Sequence, residues 1–167
     1  MHLVLHIGTE KTGTTSIQNF VYRNRAALAA QGVFLADGLG KNNNRKLAQY
    51  CLPANRIDDY FLQVGVRTPE QKAEHFAGFI ENFRREVAAD DREDAIFLIT
   101  SEHLHSRLTG FEPVRKLRDV VAPPMFCVVY SGPAVGPPLF DPDVGMNFAA
   151  MVHGAQDFEW GEPVCSG

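Results

Sequence analysis

The sequence predicts an α/β domain: a mostly parallel sheet flanked by helices in three layers, incomplete toward the C-terminal end. Three observations carry that reading. Residues 3–7, 95–100 and 125–130 are short apolar runs rich in β-branched residues, the pattern of strands buried on both faces. Stretches with apolar residues at helical spacing separate them. Strands alternating with helices imply right-handed βαβ crossovers, and in such sheets ligands sit beyond the C-terminal strand ends. The segments 8–16 and 101–105, with whatever follows Tyr130, should therefore share one edge.

The first strand, 3–7, is too short for a helix before Gly8. From Thr14 the spacing turns helical, with Ile17, Phe20, Val21, Ala27 and Leu28 on one face. Thr14, Thr15 or Ser16 can cap its start, and Gly32 suits a C-terminal stop. Val33-Phe34-Leu35 reads as a second strand. Asparagines 42–44 can cap a short helix through Leu47, Tyr50 and Cys51 that stops before Pro53. Residues 53–67 resist assignment, although Tyr60-Phe61-Leu62 call for burial. Thr68-Pro69-Glu70-Gln71 is a capping-box start, and Ala73, Phe76, Ala77, Ile80, Phe83 and Val87 continue one helix. A charged turn, 90–94, precedes the strand at 95–100, which ends in Ser101-Glu102-His103-Leu104-His105. A helix over about 113–121 places Val114, Leu117 and Val121 inward, and Pro123-Pro124 stops it before the strand at 125–130.

The chain has 167 residues, enough for one domain with a substantial core, and its 45% hydrophobic and 22% charged composition is that of a globular protein. A net charge of −4 argues against a nucleic-acid partner, which needs a basic face. No apolar stretch is long enough to span a bilayer, and residues 1–6 lack the basic start of a signal peptide. Cys51, Cys127 and Cys165 are odd in number and form no C-x-x-C pair, which suggests neither a disulfide framework nor zinc and fits a cytoplasmic setting. His103-x-His105 has the spacing of two same-face strand residues. It reads as an exposed or hydrogen-bonded pair rather than a metal grip, so no metal is expected.

Composition then breaks. All 16 Lys and Arg lie at or before Arg118, so residues 1–130 carry a formal +1 and residues 131–167 a formal −5. The second stretch holds six of the 14 Gly and five of the 10 Pro with no sustained periodicity. It reads as a Gly/Pro-rich acidic tail, poorly ordered or divergent, behind a domain of residues 1–130.

The chemistry concentrates in Gly8-Thr9-Glu10-Lys11-Thr12-Gly13-Thr14-Thr15-Ser16, a loop between a strand and a helix. Unpaired N–H groups at the helix start, a lysine and five hydroxyls form an anion cradle. A strand–turn–helix junction with no function is the plainer reading. Gly8 and Gly13 have Walker A spacing, but Thr14-Thr15 stand where that motif has Lys-Ser/Thr, which argues against a nucleoside triphosphatase.

The run from His6 to Gln18 resembles the 5′-phosphosulfate loop of sulfotransferases, above all a bacterial sulfotransferase-like group. The resemblance implies a P-loop-like fold and transfer of sulfonate from 3′-phosphoadenosine 5′-phosphosulfate to a hydroxyl or amine of a small-molecule or carbohydrate acceptor. It implies that Lys11 stabilises charge on the bridging oxygen, while Lys11, Thr12, Gly13, Thr14, Thr15 and Ser16 hold the 5′-phosphate. The acceptor's proton needs a base. Glu102 is the candidate, with His103 or His105 behind it, and a helix-capping acid is the alternative for Glu102. The family's 3′-phosphate element, an Arg and then a Ser after a later strand, has no counterpart beyond Arg118. That departure implies an inactive or truncated relative, or a shifted reading frame after about Tyr130. A P-loop small-molecule kinase and a non-catalytic remnant are the other readings.

Overall fold

The computed structural model describes residues 2–9, 13–89, 94–121, 126–131 and 152–153, the last two stretches as backbone. Its strands are β1 (His2–Gly8), β2 (Val33–Leu35), β3 (Ile96–Thr100), β4 (Phe126–Ser131) and β5 (Val152–His153). They form one sheet in the order β2-β3-β1-β4-β5, and every pairing is parallel. The expected mixed α/β class with a parallel sheet and helices is what the chain adopts. β1 is central, with Leu5 and Ile7 fully buried, because it pairs on both edges.

The helical expectations hold in part. α1 (Thr14–Arg23) and α2 (Arg25–Ala30) replace one long helix. The Asn24 side-chain amide takes the Phe20 carbonyl at 2.7 Å, competing with the backbone ladder at that point. The buried face of α1 is Thr14, Gln18 and Val21, whereas Phe20 is 57% exposed and Ala27 is exposed. Spacing alone misassigned the inner face, because the helix starts at a polar sheet edge and turns polar residues inward. No side chain caps it: the N-cap is Gly13, in the left-handed conformation at φ 81°.

Beyond β2 a 3-10 turn, Asp37–Leu39, donates its first N–H groups to the Glu86 carboxylate. Asn44, a non-glycine residue at φ 42°, stands at the N-cap position of α3 (Arg45–Cys51) without a side-chain cap, and the Arg45 N–H donates to Asn43 Oδ1 at 3.3 Å. The unassigned stretch contains α4 (Asp59–Gln63), started by an Asp58 side-chain cap. Of its three apolar residues only Phe61 is fully buried, and Leu62 is 51% exposed.

The helix expected over 68–87 is also two, α5 (Pro69–His75) and α6 (Phe79–Ala88), parted at Gly78 with φ 69°. Thr68 accepts from the Gln71 N–H as expected, while Gln71 Oε1 turns back to the Arg67 N–H, one residue before the cap. The break moves the inner face to Lys72, Phe76, Phe79 and Phe83 and leaves Ala73 and Ala77 outside. α7 (His103–Arg107) and α8 (Phe111–Val121) follow β3. Val114, Leu117 and Val121 face inward on α8 as spacing predicts. Among the described residues no helix is long and apolar enough to cross a membrane. Most of the Gly/Pro-rich stretch lies outside the described residues, as does the turn at 90–93.

Candidate functional site at the sheet edge

The C-terminal ends of β1 and β3 lie side by side, so residues that follow them in sequence meet in space. Ser101 N–H donates to the His6 carbonyl at 3.0 Å, which continues the ladder one rung past β3. His6 Nδ1 and Thr100 Oγ1 are 2.8 Å apart across the same pair of strands. The Gln18 amide, projecting from the inner face of α1, hydrogen-bonds the Glu102 carboxylate. Glu102 Oε1 lies 3.6 Å from His103 Nε2, with the two side chains 17% and 13% exposed. His6, Thr9, Thr14, Gln18, Thr100 and Ser101 are all buried. A polar cluster of this kind, inside a sheet edge, is where a parallel sheet places its ligand.

The electrostatics follow from burial. Desolvation pushes the His6 imidazole below its ordinary 6.5, and the negative charge of Glu102 opposes that shift. His6 is thus a neutral ring at neutral pH, able to share a hydrogen bond with the Thr100 hydroxyl. Ser101 Oγ is buried without a hydrogen-bond partner among the described residues, which leaves one hydroxyl free for a ligand.

The residues singled out from sequence fare unequally. Lys11 and Thr12 lie outside the described residues. Gly13 and Thr14 open α1, where Gly13 accepts from the Ser16 and Ile17 N–H groups and the Thr14 hydroxyl donates to the Thr9 carbonyl at 3.2 Å. Thr15 and Ser16 are exposed. Glu102 makes no side-chain cap for α7, so the capping alternative gives way to its contact with Gln18. His103 and His105 sit on a helix, not a strand, which removes the same-face geometry. No group of three His, Cys, Asp or Glu among the described residues is placed to hold a metal. His6 and Gln18 belong to the site without having been singled out. Each looked structural, one inside an apolar run and the other on a helix.

Residues 100–167, less than half of the chain, match the family described as FAS1-like, dehydratase domain region. A UPF0336 protein of Thermobifida fusca is 37% identical over 49 residues, covering 29% of this chain and 32% of that protein. UPF0336 proteins of Streptomyces coelicolor and Streptomyces avermitilis are each 39% identical over 49 residues, covering 29% of this chain and 33% of theirs. The chain spans about a third of the length of the curated relatives it matches. No solved structure matches it.

These matches correct the sulfotransferase resemblance. The family match over residues 100–167 points to a dehydratase-like region, and the sulfotransferase, kinase and P-loop readings have no support in any of the matches. The phosphosulfate donor was implied by that resemblance alone. The resemblance rested on thirteen consecutive residues around a glycine loop, a local geometry that unrelated folds share. The dehydratase-region match runs across the composition break at 131. Over residues 100–167 the similarity is to the FAS1-like dehydratase domain region.

Proposed function

We propose that this chain serves a dehydratase-type, lyase reaction centred on Glu102. The observation that carries the proposal is position: Glu102 and His103 fall within the first residues of the matched stretch, and Gln18 is bonded to that same carboxylate. Loss of water from a β-hydroxy carbonyl compound needs a base for the proton α to the carbonyl and an acid for the leaving hydroxyl. Glu102 takes the α-proton. The electron pair of that C–H bond forms the new double bond as the β C–O bond breaks. His103 hands a proton to the departing oxygen, and water leaves. Gln18 holds the carboxylate in place, and the Ser101 hydroxyl hydrogen-bonds the substrate.

In this reading the loop of Lys11, Thr12, Gly13, Thr14, Thr15 and Ser16 receives an anionic part of the substrate at the start of α1. Residues 1–130 supply most of the α/β part, and the Gly/Pro-rich stretch 131–167 adds β5 to the same sheet beside β4. The test is incubation of the full chain in D₂O with an α,β-unsaturated acyl thioester and, separately, its β-hydroxy counterpart. Deuterium at the α-carbon and loss of the conjugated double bond are followed together. Glu102→Gln should lower both by about 100-fold or more, the usual scale of a lost general base. Exchange no faster than buffer, or full activity in Glu102→Gln, would refute the proposal.

A further inference from the structure

β2 is shorter than the strand it accompanies, and one side chain fills the difference. β2 pairs with β3 only as far as Leu35↔Leu98, whereas β3 continues to Thr100. N–H groups alternate in direction along a strand. Ile96 N–H donates to the Gly32 carbonyl on the β2 side, and Ser101 N–H to the His6 carbonyl on the β1 side. Thr100 N–H therefore faces β2, and two rungs on from Ile96 its regular acceptor would be the Ala36 carbonyl. The two groups are not joined to each other. Thr100 N–H donates to Asn44 Oδ1 at 2.9 Å, and Asn44 Nδ2 donates to the Ala36 carbonyl at 3.1 Å. The side-chain amide of Asn44 is inserted where one backbone hydrogen bond would have been, and it parts the two strands at the edge that carries the site.

Asn44 is held firmly for this task. It is fully buried, and its amide N–H groups also reach the Gly40 and Lys41 carbonyls at 3.2 and 3.4 Å. Its left-handed backbone starts α3, a conformation that asparagine tolerates better than most residues. On the other face of the same rung, the Thr100 hydroxyl contacts His6, and the next two residues are Ser101 and Glu102.

We infer that Asn44 is a positioning residue: as a substitute rung between Ala36 and Thr100 it sets, through Thr100 and His6, the placement of Ser101 and Glu102 at the sheet edge. The inference rests on the proposed function only in taking Glu102 as the proton-transfer group. Its test needs no turnover, so a failure of the dehydratase assay and a failure of this inference are separate results. The His6 ring is titrated by NMR in the full chain, in wild type, in Asn44→Gly and in Glu86→Ala. Asn44→Gly keeps the left-handed backbone accessible but deletes the rung. Glu86→Ala removes a different loop clamp, the carboxylate that accepts from Asp37 and Gly38. With the rung gone, water reaches the edge and the His6 midpoint should rise toward its ordinary value, while Glu86→Ala leaves it in place. An unmoved midpoint in Asn44→Gly, or an equal rise in Glu86→Ala, overturns the inference. If Asn44→Gly does not fold, wild type decides alone: protonating His6 should shift the Asn44 side-chain amide signals, because coupling between sites is reciprocal. Signals that stay still through the His6 titration overturn it.

Discussion

Two regions of the molecule bury polar groups, and they bury them differently. At the C-terminal end of α3, Lys72 is 5% exposed and its ammonium donates to the carbonyls of Leu52, Pro53 and Arg56 at 3.1, 2.7 and 3.2 Å. Its charge lies 4.6 Å from the centre of the Phe61 ring. Lys116 donates to the Tyr50 carbonyl at 2.8 Å from above the Tyr50 ring. Cations belong at a helix C-terminus, where carbonyls lack intrahelical partners. Three ammonium N–H groups meet three carbonyls, so Lys72 has nothing left to offer a ligand. At the sheet edge the partners are side chains, brought from residues 84 and 94 positions apart in sequence. There one buried hydroxyl, Ser101 Oγ, has no partner among the described residues. Burial of a polar group does not mark a functional site. What separates the two regions is that backbone carbonyls saturate Lys72, whereas the sheet edge holds side-chain pairs, Gln18 with Glu102 and His6 with Thr100.

The most forceful way to break this comparison is Lys72→Met. Methionine fills the volume of the stem but takes the ammonium away from the buried Leu52 carbonyl and from the part-buried Pro53 and Arg56 carbonyls, of which Pro53 keeps the Arg56 N–H. A hydrogen bond to a charged group contributes about 1.5–3 kcal/mol, so with one such bond fully buried the expected loss is about 2–3 kcal/mol, read as a lower urea midpoint. Deuterium exchange catalysed at the Glu102 edge should be unchanged per folded molecule. A loss under about 1 kcal/mol would show that water replaces the ammonium there, and the region would not be closed in the sense argued.

Alkaline pH sharpens the same contrast with an effect on the order of 2 kcal/mol. Burial lowers Lys72 from 10.5 to about 8, with the charge of Lys116 adding to the shift. Between those values the unfolded chain binds more protons than the folded one, so this group's contribution to stability grows as pH rises from about 8 to 10.5. Burial also raises the Cys51 thiol from 9.0 to about 12, against the charges of Lys116 and Lys72. Above pH 9 the folded chain binds more protons at Cys51, so its contribution falls as pH rises. The two slopes oppose each other above pH 9. In Cys51→Ala the falling slope is gone, and urea midpoints measured from pH 8 to 10.5 should keep rising where wild type levels off. Parallel profiles would mean that Cys51 ionises alike in both states.

Both regions were legible in the sequence to different depths. β1, β3 and the face of α8 could be read because a compact apolar run or a regular Val114–Leu117–Val121 spacing is a local property. The junctions at Asn24 and Gly78 were missed, because a helix period continues across them and only a side-chain amide or a positive φ ends the helix. Lys72 was invisible as a core residue: its acceptors become available only once 52–56 folds over it. At the site, the segments 8–16 and 101–105 were expected at one edge, and Gln18 does meet Glu102 there. The rung made by Asn44 could not be read, since Thr100 lies 56 residues away. The three asparagines announced a cap and nothing more. The functional reading failed for a related reason. A glycine loop before a helix is a geometry many chemistries share, while the dehydratase-region match lies in residues 100–167, where composition gave no motif.

Acid provides the smallest and most local test. His6 is 5% exposed, and its folded value lies below the ordinary 6.5 because the ring is desolvated, with Glu102 pulling the other way. Above pH 6.5 the ring is neutral in both states and its contribution is fully present. As pH falls below 6.5 the unfolded chain takes up a proton that the folded chain refuses, and stability drops until the folded value is reached. The drop is confined to the acid side of pH 6.5, and the Glu102 charge in the same cluster works against it. In His6→Gln the amide keeps a polar contact available to Thr100 and cannot titrate, so that part of the acid slope should vanish. Lys72→Met should leave it intact, because Lys72 stays protonated on both sides of this window. A slope that persists in His6→Gln would assign the acid sensitivity elsewhere and detach it from the sheet edge. A slope lost in His6→Gln but kept in Lys72→Met would place this acid sensitivity at the sheet edge and not at the end of α3.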